Sequence, residues 1–193
     1  PFYSGSDLEI SRAINEGADV IMLPMFKNIF EVNKLLEIID DKCSLDLLVE
    51  TPEALKFLDQ IPFKKIRYIH FGINDLSLAL KKNNMFEIFF EKEFQKACEF
   101  LYSKKILFGI GGIGAMGHKL IPPELILAAN LYLHSERLIL SRSFLSAIDK
   151  SNQIISIKSA QNLIDELIQE KEKIINLKEN ELKFMLEKLK YKL

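Results

Sequence analysis

Two short runs constrain this chain more than anything else in it: Leu45–Leu55 (LDLLVETPEAL) and Arg67–Leu80 (RYIHFGINDLSLAL). In each, an apolar stretch of strand character stops at a carboxylate, Glu50 in the first and Asp75 in the second. Each carboxylate stands where a helix begins. Thr51 is a good N-cap, and Pro52 takes the first helical position, where its missing N–H is no loss. A strand running straight into a helix, twice in succession, is the signature of a parallel sheet. In such sheets the C-terminal strand ends share one side, and that side carries the chemistry. Two carboxylates delivered there suit one hard divalent cation, which takes oxygen ligands and keeps positions for water and substrate. The same residues also read as acids placed at helix N-termini, which the helix dipole favours without any metal.

The rest of the chain repeats the pattern. Ser6 and Glu9 have capping-box spacing, opening a helix that runs to Gly17, a natural C-terminal stop. Asp19–Pro24 is a continuous apolar run, as expected of a strand buried on both faces. Asn28 and Glu31 open a helix with Ile29, Val32, Leu35, Leu36 and Ile39 on one face. A helix is expected over Pro52–Gln60 and a strand over Tyr68–Phe71, followed by the turn from Gly72, which permits close approach of a substrate. A long helix is expected from Glu87 to Ser103, burying Phe90, Phe94, Ala97, Cys98 and Leu101. Strand Ile106–Ile110 leads into the glycine-rich run Gly109–Gly117. Pro122 and Pro123 start another helix, and Arg137–Leu140 reads as a strand ending in Ser141-Arg142-Ser143.

Five strand-then-helix repeats thus fit in about 145 residues, near 30 per unit. A complete (β/α)8 barrel takes about 250 residues, so five units are about five eighths of one. Residues 1–150 are read as this α/β region and 151–193 as a helical tail. From Ser156 onward there is no Gly or Pro, and apolar residues recur at helical spacing. Unbroken, such a helix would reach roughly 50 Å, so a break is expected near Asn176–Asn180. The early part is expected to pack on the sheet region and the later part to pair with another subunit.

Composition limits the alternatives. A net charge of −1 argues against a nucleic-acid or membrane-surface role. No run of about 18 apolar residues predicts a membrane span. Cys43 and Cys98 have neither metal spacing nor a disulfide framework, so buried thiols in a reducing cytoplasm are expected.

ETPEAL at Glu50–Leu55, followed by FGINDLS at Phe71–Ser77, resembles the HpcH/HpaI aldolase and citrate lyase β-subunit family, whose corresponding runs read roughly IET-EA and FIGP-DLS. GADVIMLPM at Gly17–Met25 resembles the strand before the Glu strand in that family. The resemblance implies a TIM (β/α)8 barrel, here partial, with three N-terminal strands expected upstream of Pro1. It implies that Glu50 and Asp75 bind Mg2+ (or Mn2+ or Co2+). It implies that the amides of Asn74 and Asp75, beside Gly72, receive the substrate carboxylate. The implied activity is a metal-dependent carbon–carbon lyase or class II aldolase acting on a pyruvate-type 2-oxo acid or an acyl-CoA ester. A homo-oligomer is implied, with C-terminal helices in its contacts. The family's catalytic base and its substrate-binding Arg are expected upstream of Pro1. Leu48 stands where a Gln is common and Ile73 where a Pro is common. The glycine run is absent from the best-known aldolases of the family, which implies a different second substrate.

Other residues keep two readings. Gly111 and Gly112 either cradle an anion with backbone N–H groups or form a plain flexible turn. The run lacks the spacing and acidic partner of a dinucleotide fingerprint. His118 is an acid/base group or an exposed loop residue, and Arg142 meets an anionic substrate or a rim ion pair. His70 reads as a core residue, His134 as surface, and Ser77 as a helix-start hydrogen bonder. A non-catalytic binding or assembly subunit is the rival reading. A flavodoxin-like five-stranded sheet binding an anion at Gly111–Gly117 is a third.

Overall fold

Four of the apolar runs become strands: β1 Val20–Leu23, β2 Ser44–Val49, β3 Ile66–Phe71 and β4 Phe108–Ile110. They form one parallel sheet in the order β1-β2-β3-β4. The structure, a computed structural model, describes residues 3, 5–117, 121–141 and 157–193. It divides into two units, Pro1–Gly109 and Ile110–Leu193, with β4 running across the boundary.

In the first unit, side chains alternate between sheet faces. Leu45, Leu47 and Val49 of β2 share a face with Ile69 and Phe71 of β3, because Leu47 pairs with Ile69 and Val49 with Phe71. All five are essentially fully buried. Phe71 packs edge-on against Phe94 (centroids 4.9 Å apart) and Phe108 (5.9 Å). Burying such side chains stabilises the unit by roughly 1.5–3 kcal/mol each. The opposite face carries Asp46, Tyr68 and His70, also buried. So the strands are closed to solvent on both faces, but one face is polar. Asp46 is held by a two-pronged pairing with Arg67, whose Nε donates to Oδ1 at 2.8 Å.

Helices α1 Ser6–Asn15, α2 Ile29–Ile39, α3 Pro52–Lys56, α4 Ile73–Ala79 and α5 Lys92–Ser103 follow from local chemistry. Asn28 caps α2, accepting the Glu31 N–H at 3.1 Å while its own amide donates to the Glu31 carboxylate. Thr51 caps α3, accepting from Ala54 N at 3.2 Å, with Pro52 at the first position as expected. Gly17 closes α1: its N–H donates to Ile14 and that of Ala18 to Ala13. α2 buries Val32, Leu35 and Ile39, and α5 buries Phe94, Ala97, Cys98 and Leu101, each set one helical stripe.

Several boundaries differ from expectation. Ser6 does not cap α1. Gly5 holds that position with φ 138°, and the Ser6 hydroxyl accepts from Tyr3 N while Glu9 accepts from the Tyr3 hydroxyl. The helix after Pro52 stops at Lys56 and is followed by a 3-10 turn at Leu58–Gln60. The long helix Glu87–Ser103 is two pieces, a 3-10 segment Met85–Phe90 and then α5. Extended backbone at Glu91 separates them. Asn84 and Glu87 form a capping box at the start of the 3-10 segment, and at the break Gln95 donates to Phe89 O.

In the second unit, α6 Pro123–Tyr132 buries Leu125 through Asn130 without a polar stripe. A helix apolar all round must be covered all round. α7 Ile157–Ile174 and α8 Glu179–Lys190 both pack on it. The tail is thus two helices, broken at 175–178, which overlaps the expected Asn176–Asn180. The later part covers α6 with some of its apolar residues and leaves Phe184 and Tyr191 exposed. Leu186 and Leu189 of α8 are buried, and that helix packs against α6 of the same chain. The fifth strand, 137–140, is reduced to isolated bridges at Arg137 and Leu140, the latter parallel to Ile113. Among the described residues no helix is long and apolar enough to cross a membrane.

Candidate functional site

Glu50 is the first residue past β2, and Gly72 the first past β3. The β2–β3 register continues between them, since Gly72 N donates to Val49 O at 3.0 Å. This alignment lays the Glu50 side chain over Gly72. A Cβ built on Gly72 would lie 2.8 Å from Glu50 Cγ and 2.9 Å from its Oε1. Glycine is required here for space; its φ of −85° is open to any residue. α4 starts immediately and places Asn74 and Asp75 in its exposed first turn. No side chain caps it. The first N–H groups of a helix have no partner within it, so the amides of this turn face outward as donors. The Ser77 hydroxyl donates to Asn74 O at 2.6 Å, the helix-start role read from the sequence.

Electrostatics tie the two carboxylates together. Glu50 is buried, and burial pushes its pKa above the usual carboxylate range; the nearby negative charge of Asp75 pushes it further up. The Met25 backbone N–H donates to Glu50 and works the other way. Met25, just past β1, has φ 52°. Three successive strand ends therefore contribute to one spot. Among the described residues, neither Glu50 nor Asp75 has a Lys or Arg within 4 Å. Two like charges with no described lysine or arginine beside them fit a divalent ion. Its hard, oxygen-preferring chemistry matches the donor set. No cluster of three or more His, Cys, Asp or Glu that could hold a metal ion exists among the described residues.

The glycine run behaves differently from an open anion cradle. Gly111 and Gly112 follow β4, and a Cβ on Gly112 would come within 3.4 Å of Ile139 O. Ile113 N donates to Ile139 O, and Ser141 N donates to Ile113 O. Part of the run's hydrogen-bonding capacity is thus spent on the 137–141 segment. Arg142 and His118 lie outside the described residues. His70 is buried, as a core residue should be, and His134 is exposed.

Sequence reasoning missed three contributors. Met25 supplies a main-chain donor, which side-chain identity does not announce. The Thr51 hydroxyl donates to Phe26 O at 2.7 Å and so ties the β1 exit to the β2 exit, beyond its cap role. Asp46 was legible in principle, because a charge inside the apolar run LDLLV demands a partner such as Arg67.

The fold has a counterpart among solved structures. A citrate lyase from Burkholderia xenovorans LB400 superposes with a TM-score of 0.56 at 12% identity, covering 86% of this chain and 61% of that one. At that identity the likeness is one of fold. The chain spans less than two thirds of that protein's length. No protein-family model matches the sequence. No curated protein matches it either.

Proposed function

We propose that this chain is the metal-binding part of a (β/α)-barrel carbon–carbon lyase or aldolase of the HpcH/HpaI and citrate lyase β-subunit type. The observation that carries the reading is the coupled pair Glu50 and Asp75 at adjacent strand ends, with Gly72 making room for one of them. The citrate lyase fold likeness supports it. Glu50 and Asp75 would hold Mg2+ or a similar ion. The ion would supply Lewis acidity toward the carbonyl oxygen of a 2-oxo acid or an acyl-CoA ester. The Asn74 and Asp75 amides, in the uncapped first turn of α4, would receive the substrate carboxylate. The Met25 N–H would keep the Glu50 carboxylate oriented. Because Glu50 holds its proton more tightly than an ordinary carboxylate, cation affinity is expected to rise with pH beyond the usual carboxylate range.

Isothermal titration with Mn2+, with and without oxalate as a stand-in for the 2-oxo acid, tests this. Saturable binding tightened by oxalate is expected. Asp75→Asn, which keeps one oxygen but removes the charge, is expected to weaken it about tenfold. Absence of saturable Mn2+ binding in the wild-type chain would leave Glu50 and Asp75 as helix-start acids in a non-catalytic relative.

A further inference from the structure

The other end of the same strands carries the opposite charge. A cavity of about 600 Å³ opens where β2 and β3 begin, and its walls include Lys42, Lys64, Lys65 and Arg67 against Asp19 and Asp41. The walls carry four cations and two carboxylates, but Asp46 pairs with Arg67 and Asp40 lies beside Lys42, so the positive charge open to a ligand is that of Lys64 and Lys65. Arg67 spends part of its guanidinium on Asp46, and Lys42 lies 3.9 Å from exposed Asp40, a pairing of little strength. Among the described residues, Lys64 and Lys65 have no carboxylate within 4 Å. Their backbone is already fixed. The 3-10 turn Phe63–Lys65 is closed by Lys65 N donating to Pro62 O at 2.9 Å. On the facing wall Lys42 N donates to Ile39 O at 2.9 Å. An anion binding here pays little backbone ordering and relieves the repulsion of adjacent like charges.

We propose that this pocket binds the phosphate groups of a small diphosphate-bearing molecule. A single carboxylate leaves much of the positive charge unanswered, whereas a diphosphate presents several acceptor oxygens to ammonium and guanidinium donors at once. The volume lies in the range of small-molecule sites, about 300–1,000 Å³. Six-residue strands put this pocket roughly 20 Å from the Glu50 end, so it is separate from the carboxylate pair and does not depend on the metal reading.

Inorganic pyrophosphate is the probe, titrated calorimetrically at low salt into three proteins. These are the wild-type chain, Lys64→Gln/Lys65→Gln, and a charge-matched control, Lys183→Gln/Lys192→Gln, altered at exposed positions of the C-terminal region. One saturable site is expected in the wild type and the control, weakened at least tenfold in the pocket variant and further by added salt. Loss that is equal in pocket variant and control would overturn the proposal, as would the lack of a saturable site in the wild type. Exposed lysine-to-glutamine changes keep part of the aliphatic stem and are expected to leave the thermal melt unaltered. If the pocket pair does melt early, Arg67→Lys replaces it as the test, with a severalfold loss expected and an unchanged affinity counting against the site.

Discussion

Replacing Gly72 with valine is expected to destabilise the chain by about 1–3 kcal/mol and to weaken divalent-cation binding roughly a hundredfold. The cause is local. At Gly72 even one Cβ would sit 2.8 Å from Glu50 Cγ and 3.2 Å from its Cδ, well inside van der Waals contact. The backbone at Gly72 accepts any residue, so the whole effect is steric. Glu50 is buried at the strand end and has little room to retreat. Moving it breaks the hydrogen bond from Met25 and swings the carboxylate away from Asp75. The stability loss comes from overpacking, and the binding loss from a misplaced ligand. Urea denaturation and Mn2+ titration read the two effects separately. A Gly72→Val protein that binds Mn2+ like the wild type would show that Glu50 is not a ligand.

The second large effect is a dependence of stability on pH centred on His70. Its ring is buried on the polar face of β3, and Nε2 has no hydrogen-bond partner. Burial lowers its pKa from 6.5 to about 4, with the negative charge of Asp46 pulling weakly the other way. The unfolded chain therefore takes up a proton before the folded one does. His70 carries no protonation penalty above about pH 6.5, and stability is lost as the pH falls from there toward 4, by up to about 3 kcal/mol. His70→Phe removes both the titration and the unpartnered nitrogen while filling similar volume. Its stability relative to the wild type is expected to rise by about 2 kcal/mol between about pH 7.5 and about pH 5. Glu50 titrates with the opposite sign, but it is present in both proteins and cancels in the comparison. Parallel pH profiles for the two proteins would mean that His70 is accessible to protons in the folded state.

Local structure was legible wherever one residue's chemistry sufficed. Asn28, Thr51, Pro52 and Gly17 start and stop helices by hydrogen bonds and backbone geometry that reach only a few residues along the chain. The stripes on α2 and α5 were legible because one helical period repeats over three turns. The long helix through Glu91 was not legible as two. Helical periodicity continues across it, and the break depends on Gln95 reaching back to Phe89 and on the Lys82 pairing with Glu91. The 137–140 strand read as a full element because its residues suit a strand, yet only Arg137 and Leu140 form bridges, and those are isolated. The tail's apolar stripe was legible, but not what it would cover.

The candidate site divides the same way. Glu50 and Asp75 stood out in the sequence because a carboxylate at the end of an apolar run is conspicuous. That α/β units would set them on adjacent strand ends follows from the repeat of strand and helix. Tertiary structure alone decided that Glu50 lies across Gly72, that Met25 turns its N–H onto it, and that Asp75 is near enough to raise its pKa. Those facts depend on the β2–β3 register and on the φ of 52° at Met25. Register is set by packing summed over both strands, so no single residue in either run encodes it.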